Sequence, residues 1–212
     1  MATQHGRHNL PWQTTNPYHI WLSEIMLQQT QVASVKPYFT RFIQTLPTLK
    51  ALAHASEDQV LSLWSGLGYY SRARNLHHSA QTILQQHNGQ FPQNRHQLEQ
   101  LKGIGRTTAA AIAVFAFGKR EAILDGNVKR ILIRHRALNI SANDPRTNKT
   151  LWTLAENLLP HHPQDLRHYT QGLMDLGSTL CTPKNPPNAP SAPYKTTAKP
   201  TNKTAPNNSP CA

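Results

Sequence analysis

Acidic residues are scarce in this sequence, and the scarcity sets its charge. Ten Asp and Glu stand against 22 Lys and Arg among 212 residues, so the formal net charge is +12 at pH 7. A charge of this size predicts a polyanionic partner, with nucleic acid favoured over a membrane surface. Long apolar runs are missing, and no apolar stretch follows the basic residues near the start. We therefore expect a soluble cytoplasmic protein with no membrane segment and no signal peptide.

Cysteine is almost absent, since Cys181 and Cys211 are the only two. Two cysteines are too few for a disulfide framework and, alone, too few for a metal site. Residues 183–212 also lack acidic side chains and hold four Lys and eight of the 16 Pro. This composition buries too little apolar surface to offset the entropy of ordering, so we predict a disordered tail over 182–212.

Strand patterns are missing too, because apolar residues recur at spacings of three and four instead of alternating. The pattern predicts an all-α fold of eight or more short helices. Capping residues and terminal glycines mark helix boundaries at Asn16-Pro17, Ser56, Gly89 and Gly118. Further helices are predicted at about 127–138, 148–159 and 165–180.

Two glycines stand directly before an Ala-rich segment in the stretch LKGIGRTTAA, residues 101–110. Gly103 and Gly105 permit a tight turn, and the first amides of the following helix attract an anion, to which Arg106 adds a positive charge. A plain turn between two helices is the alternative for a lone Gly-x-Gly pattern. The basic composition favours a phosphate-binding helix-hairpin-helix over about residues 98–118.

Two of the few acids lie beside apolar residues. A helix from Pro17 places Glu24 on one face with Ile20, Trp21 and Leu27, where apolar surroundings raise a carboxyl pKa and suit a general acid. The alternative is a Glu at the edge of that face with its carboxylate in water. Asp125, in the stretch ILDGNVKR, separates an apolar run from a basic helix. The alternative for Asp125 is a helix N-cap.

Aromatic and basic residues alternate in the stretch GLGYYSRARNL, residues 66–76. We expect Tyr69 and Tyr70 on an exposed turn, with Arg72 and Arg74 one turn further on. Rings that stack on bases and guanidinium groups that hold phosphates suit a bent or unstacked duplex. Core packing is the alternative for either tyrosine, and we expect it for one of them.

From Leu10 to Cys181, these stretches together with WLSEIMLQQTQV (residues 21–32) resemble the MutY family of adenine DNA glycosylases, within the helix-hairpin-helix glycosylases. The resemblance implies hydrolysis of the N-glycosidic bond of adenine mispaired with guanine or 8-oxoguanine in double-stranded DNA. It also implies a monomeric, bacterial-type protein associated with the nucleoid. The alternative function is a catalytically impaired remnant that binds mispairs.

The resemblance also implies site residues. Glu24 protonates the adenine and activates water, Asp125 stabilises the positive sugar, and Asn127 orients Asp125. An adenine pocket includes Arg7 and Trp12. The implied DNA contacts are Gln28, Gln29, Tyr69, Arg72, Arg74, Lys102, Gly103, Gly105, Arg106, Thr107 and Lys129.

Thr107 stands where the related endonuclease III branch carries a Schiff-base lysine, so a monofunctional hydrolase is expected. Lys102 replaces the proline usual in the family hairpin. We expect most of the family's first helix and its 8-oxoguanine recognition domain to be missing, which leaves the opposite-base preference open. We expect a six-helix lobe at 17–120, a second lobe formed by 1–16 and 121–181, and a DNA cleft between them with Glu24 and Asp125 on opposite walls.

The family carries a 4Fe-4S cluster on cysteines spaced C-x6-C-x2-C-x5-C, and Cys181 matches the first of them. The other three positions hold Asn188, Ser191 and Thr197, so we expect no cluster in this chain. Synonymous codons can be chosen for residues 188–198 that, read from the third base of the Asn188 codon, encode CALCPLQNDC with the family spacing, so a frameshift is allowed. We therefore predict a frameshift that leaves the tail out of frame from about Pro187.

Overall fold

The computed structural model describes residues 9–142 and 144–183. The described residues form two compact units, an N-terminal unit of residues 9–121 and a C-terminal unit of residues 122–183. All regular secondary structure in these residues is helical, which confirms the predicted all-α class. None of these helices combines the length and the apolar character that crossing a bilayer requires. The predicted disordered tail lies outside the described residues from 184 onward.

The N-terminal unit contains seven helices, one more than the six predicted for this lobe. Two of them are short, with six residues in the third and five in the sixth. Segments of this length show too little of a helical period to be separated from turns by pattern alone. In chain order the helices are α1 (Pro17–Leu27), α2 (Val32–Thr45), α3 (Leu49–His54), α4 (Glu57–Trp64), α5 (Ser71–Gln86), α6 (Arg95–Glu99) and α7 (Arg106–Phe117).

Capping residues set several of these boundaries as predicted. Asn16 Oδ1 accepts a 2.9 Å hydrogen bond from the Tyr18 amide, with Pro17 at the first helical position. Ser56 Oγ accepts the Gln59 amide at 3.2 Å and so caps α4. Each cap satisfies an amide that the first turn of a helix otherwise leaves without a partner.

One apolar core holds the N-terminal unit together. Trp21, Phe42 and Trp64 are fully buried in it. Leu10 and Trp12 belong to the same core, and the Trp12 ring packs edge-on against Phe39 at 5.4 Å. The assignment of residues 1–16 to the second lobe is therefore wrong for residues 9–16. Their apolar side chains find a hydrophobic surface in the N-terminal unit itself.

The C-terminal unit is built from α8 (Gly126–His135), a 3-10 turn (Pro145–Thr147), α9 (Asn148–Asn157) and α10 (Pro163–Thr179). Helix α8 ends three residues before the predicted Leu138. Ala137 adopts a left-handed φ of +48°, and the Leu138 amide closes back on the Ile133 carbonyl at 2.9 Å. A terminating turn of this kind usually carries glycine. Because alanine stands there instead, the sequence does not predict the end of the helix.

Helices α8 and α10 approach each other closely at Gly177. A Cβ added there would lie 2.5 Å from the Asn127 Cβ. A side chain at position 177 would therefore force the two helices apart. The close approach fixes the start of α8, where Asp125 and Asn127 lie, against the last turn of α10.

Candidate functional site

The predicted helix-hairpin-helix is formed by α6, a tight turn and α7. Leu101 and Ile104 bury their side chains and anchor the turn, while Lys102, Gly103 and Gly105 are exposed. Alternation of buried anchors and exposed positions turns the backbone between them outward. The hairpin therefore exposes Lys102, Gly103 and Gly105 on one turn.

The start of α7 has the features of an anion site. Gly105 occupies the N-cap position, and no side chain caps the helix from there. Arg106 and Thr107 follow as its first two residues and are half-buried. The positive end of a helix dipole beside a guanidinium matches the arrangement that binds phosphate. The main-chain contacts predicted at Gly103 and Gly105 remain predictions that this geometry favours.

Gly103 is required by the turn for two separate reasons. Its φ is +79°, and an added Cβ would lie 3.0 Å from the Asn75 Cβ. Gly118 shares the first feature, with a φ of +64°, but has no atom within 4 Å of an added Cβ. The two glycines therefore separate backbone strain from steric contact.

Gly103→Ala is expected to destabilise the N-terminal unit more than Gly118→Ala does. A left-handed alanine costs about 1–2 kcal/mol in the free energy of unfolding at either site. Only Gly103→Ala must also displace Asn75. Urea unfolding of both variants against wild type measures the difference, and equal losses would refute the steric contribution.

Gln28 contacts the hairpin from the end of α1. Its Nε2 donates to the Gly103 carbonyl at 3.2 Å and lies 3.4 Å from Thr108 Oγ1. Two of the predicted DNA-contacting residues, Gln28 and Gly103, are therefore hydrogen-bonded to each other. Gln29 follows with a φ of +56° and an exposed side chain.

Both tyrosines of the second motif are on the surface. Tyr69 is 60% exposed and Tyr70 is 41% exposed. The expectation that one of them packs into the core is wrong. Leu67 is buried in their place, and the loop from Gly66 to Tyr69 turns outward through three residues with positive φ, namely Gly66, Gly68 and Tyr69.

The predicted phosphate contact of Arg72 is wrong, because the residue is only 8% exposed. Its Nη1 donates to carbonyls at the end of α1, and its Nη2 donates to Thr30 Oγ1 and to the Leu67 and Gly68 carbonyls. Burial lowers the pKa of the guanidinium, while Tyr69 acts to raise it. Arginine nevertheless stays charged at neutral pH. Its hydrogen-bonding capacity is directed into the protein.

Arg74 is the surface arginine of this motif. Its Nε lies 3.1 Å from Glu57 Oε1, and both side chains are more than half exposed. An exposed ion pair of this kind contributes about 0–1 kcal/mol. A phosphate can therefore replace Glu57 at little cost, and the predicted contact remains available to Arg74.

Glu24 lies in the middle of α1 and is half-buried. Ile20, Trp21 and Ile25 around it are almost fully buried. Glu24 therefore lies at the boundary of the core, where the apolar-face and edge interpretations meet. Its role as a proton donor stays a prediction.

Asp125 is the N-cap of α8, as the alternative interpretation anticipated. Its Oδ1 accepts a 2.8 Å hydrogen bond from the Val128 amide. Oδ2 has no hydrogen-bond partner in residues 9–142 and 144–183. The cap therefore fixes the orientation of the carboxylate while one oxygen stays uncommitted within the described chain. Capping and catalysis are compatible for this residue.

The two other predicted residues of α8 bind neighbours within the C-terminal unit. Asn127 Oδ1 accepts from Arg130 Nη2 at 2.7 Å, and Lys129 Nζ donates to Asn148 Oδ1 at 2.7 Å. No hydrogen bond joins Asn127 to Asp125 in the described chain. The predicted orienting role of Asn127 is thus not carried by a direct contact, and DNA binding by Lys129 stays a prediction.

Sequence reasoning missed the arginines that hold the end of α10. Arg130 donates to the Gly177 and Cys181 carbonyls at 2.9 and 2.7 Å. Arg134 donates to the Thr182 carbonyl at 2.8 Å and lies 3.5 Å from the Cys181 Sγ. Their spacing of four residues on a basic helix was the available signal. Thr182, predicted as the first tail residue, is held by this contact.

Three further predicted residues have different outcomes. Trp12 lies in the core of the N-terminal unit, and its place in the candidate adenine pocket stays a prediction. Arg7 lies outside the described residues. Cys181 is half-buried, and no group of three or more metal-binding side chains occurs in the described part of the chain.

Known proteins are similar to this chain in sequence and in fold. The model of the HhH-GPD superfamily base excision DNA repair proteins matches residues 22–157. The adenine DNA glycosylase of Buchnera aphidicola subsp. Baizongia pistaciae is 45% identical over 182 residues, covering 85% of this chain and 51% of the relative. The human adenine DNA glycosylase is 42% identical over 191 residues, covering 85% and 34%. The chain thus spans about half the length of its bacterial relative and less of the human one.

Solved structures agree with the helical architecture. A thermostable thymine-DNA glycosylase superposes with a TM-score of 0.76 at 30% identity, covering 85% of this chain and 83% of that one. The hairpin between α6 and α7, matched in this way, defines the class of protein as a helix-hairpin-helix fold. The chain belongs to the HhH-GPD superfamily of base excision DNA repair proteins.

Proposed function

We propose that this protein hydrolyses the N-glycosidic bond of adenine mispaired with guanine or 8-oxoguanine in double-stranded DNA. The observation that carries the proposal is the start of α7, where the positive end of the helix dipole and Arg106 lie together, in a chain 45% identical to an adenine DNA glycosylase. The net charge of +12 favours the same partner. We further propose that the protein acts as a monomer at the nucleoid of a bacterial-type cell.

Two carboxyl groups divide the proposed chemistry. Adenine is a poor leaving group as an anion, so Glu24 in its neutral form donates a proton to the purine and afterwards activates water. The sugar then carries positive charge, which ionised Asp125 stabilises. The cap to Val128 supports this role because it holds the carboxylate in one orientation. Asn127 supports Asp125 through the geometry of the first turn of α8.

The proposed DNA contacts are of two kinds. The hairpin contacts phosphates through the main chain at Gly103 and Gly105 and through the side chains of Lys102, Arg106 and Thr107. Charged contacts are added by Arg74 and Lys129. Gln28, Gln29 and Tyr69 occupy the space that the extruded adenine leaves or face the opposite base. The exposure of Gln29 and Tyr69 supports this second kind of contact, made to the bases.

Adenine release from a duplex with one A·8-oxoguanine mispair tests the proposal under single-turnover conditions. The expected result is an abasic site at the adenine and no product from the matched A·T duplex. A protein that binds the mispair but releases no adenine would be the catalytically impaired remnant. A protein that does neither would overturn the proposal.

The reaction is expected to stop at the abasic site. Thr107 carries no amine, so it forms no Schiff base with the sugar, and borohydride should trap little enzyme on DNA compared with an endonuclease III control. Lys129 follows Asp125 closely in sequence and is the candidate for adventitious trapping. Efficient strand cleavage that survives Lys129→Ala would contradict a monofunctional hydrolase.

The 4Fe-4S cluster expected from the family does not fit the donor set of this chain. A cluster of this type is held by four thiolates, and the four matching positions hold Cys181, Asn188, Ser191 and Thr197. We propose that the chain as written binds no cluster and that a frameshift after about Pro187 accounts for the loss.

Purified 212-residue protein is therefore expected to contain far less than stoichiometric iron. Iron analysis and the absorption spectrum measure this directly. Sequencing the gene through the Cys181 codon is the second test, with codons expected that restore the three cysteines in the shifted frame. Stoichiometric iron, or codons that cannot encode those cysteines, would refute this explanation.

A further inference from the structure

Two exposed residues of the N-terminal unit have backbone conformations that their side chains disfavour. Gln29 has a φ of +56° and Tyr69 a φ of +51°, and neither is glycine. A non-glycine residue in this region costs about 1–3 kcal/mol and persists only where its surroundings impose it. Both segments therefore need a local interaction that holds them.

The same guanidinium holds both segments. Arg72 Nη1 bonds to the Ile25 and Met26 carbonyls, at 3.1 and 2.9 Å, and to the Gln28 carbonyl directly before Gln29. Arg72 Nη2 bonds to the Gly68 carbonyl, directly before Tyr69, at 3.2 Å. The group also lies 5.3 Å from the centre of the Tyr69 ring.

The end of α1 explains why a buried arginine is needed there. The last carbonyls of a helix lack partners within it and carry the negative end of its dipole. Helix α1 has no basic residue in its last turn, and Arg72 supplies the charge from the first turn of α5. The planar guanidinium also reaches the Gly68 carbonyl before Tyr69. A lysine ammonium group cannot reach both segments with the same hydrogen-bond geometry.

We propose that Arg72 is a positioning residue that holds Gln29 and Tyr69 as one rigid pair for insertion into the duplex at the mispair. The inference rests on the proposed function, because it assigns a use to the two exposed side chains. Arg72 itself does not touch DNA in this mechanism. It lowers the cost of insertion by ordering both residues before binding.

Hydrogen exchange in the free protein tests the clamp without DNA. Arg72→Lys keeps the charge but loses the fork, so amide exchange should rise in residues 28–31 and 67–70 together. Arg74→Lys, two positions along the same helix, is the matched control and should change neither segment. Faster exchange in only one segment, or in neither, would overturn the proposal. If Arg72→Lys does not fold, Thr30→Val removes one contact to the guanidinium (3.2 Å) and should also loosen both segments.

A double-mutant cycle then tests the use of the pair. The probe is a duplex with an A·8-oxoguanine mispair and 2-aminopurine beside the 8-oxoguanine, whose fluorescence reports unstacking. All variants carry Glu24→Gln so that adenine stays on the DNA. Arg72→Lys should weaken binding of this duplex about tenfold, a coupling of about 1.4 kcal/mol, and reduce the fluorescence increase.

The cycle is completed with Gln29→Ala and Tyr69→Ala introduced together. Arg72→Lys should cause no further loss in that background, because the residues it positions are gone. An equal loss of binding in both backgrounds would assign Arg72 a general structural role. That result would overturn this inference and leave the proposed function standing. If protein with intact Arg72, Gln29 and Tyr69 neither prefers the mispair nor unstacks it, the proposed function fails and the inference fails with it.

Discussion

Glu24→Gln is expected to abolish adenine release while leaving binding of the mispaired duplex nearly unchanged. The substitution removes the transferable proton and keeps the size of the side chain and the helix around it. Loss of a general acid typically lowers the rate about 100- to 10,000-fold. Single-turnover release of adenine from the A·8-oxoguanine duplex measures the rate, and a filter-binding titration of the same duplex measures the affinity.

Glu156→Gln is the matched control for this substitution. Glu156 lies on α9 and is exposed, so the same loss of one charge should leave the rate at the wild-type level. Wild-type rates in Glu24→Gln would remove Glu24 from the mechanism. Equal loss of rate and affinity would assign it to DNA binding instead.

Asp125→Asn should lower the rate of adenine release by about 100- to 1000-fold, the range found when a group that stabilises transition-state charge is removed. Asparagine is as good an N-cap as aspartate, and its Oδ1 can still accept the Val128 amide. The fold of α8 should therefore survive, and the loss should report the missing negative charge. The rate is measured as for Glu24, and thermal unfolding confirms the intact fold.

Asp144→Asn provides the control, because Asp144 also caps a helical turn, accepting the Arg146 amide at 2.9 Å. A cap loses little when aspartate becomes asparagine, so neither stability nor rate should fall strongly there. If Asp125→Asn released adenine at the wild-type rate while Asp125→Ala lost stability, Asp125 would be a cap and nothing more.

The paired experiments also separate the proposed enzyme from a DNA-binding remnant. A remnant would bind the mispair with or without Glu24 and Asp125, since neither residue would act on the sugar or the base. An active enzyme would lose turnover in both variants and retain binding. Three of the four family cluster positions carry no thiol. Experiment must therefore decide between an active enzyme and a remnant.

Local features of the chain were predictable from sequence because their causes are local. Asn16 and Ser56 cap helices through amides two and three residues away. The hairpin is set by closely spaced buried anchors and glycines, with Leu101 and Ile104 three positions apart. Helical periodicity and turn chemistry act over the same short range. The all-α class, the hairpin and the position of Asp125 before a helix follow from these rules.

Positions that depend on distant partners were not predictable in this way. The pattern predicts a surface cation at Arg72 in a basic, aromatic motif, but its partners at the end of α1 lie 44 to 47 residues away. The core position of Trp12 depends in the same way on the ring of Phe39, which α2 brings against it. In both cases the outcome depends on which surfaces the fold brings together.

The sequence by itself determined the family, the helix-hairpin-helix and the two candidate carboxyl groups, because each is a pattern of residue types at short spacing. Only the tertiary structure decided that Tyr69 and Tyr70 both face outward and that Arg72 faces inward. The physical reason is that hydrogen-bonding groups left unpaired at a helix end must be satisfied after folding. Which arginine satisfies them depends on how the helices pack.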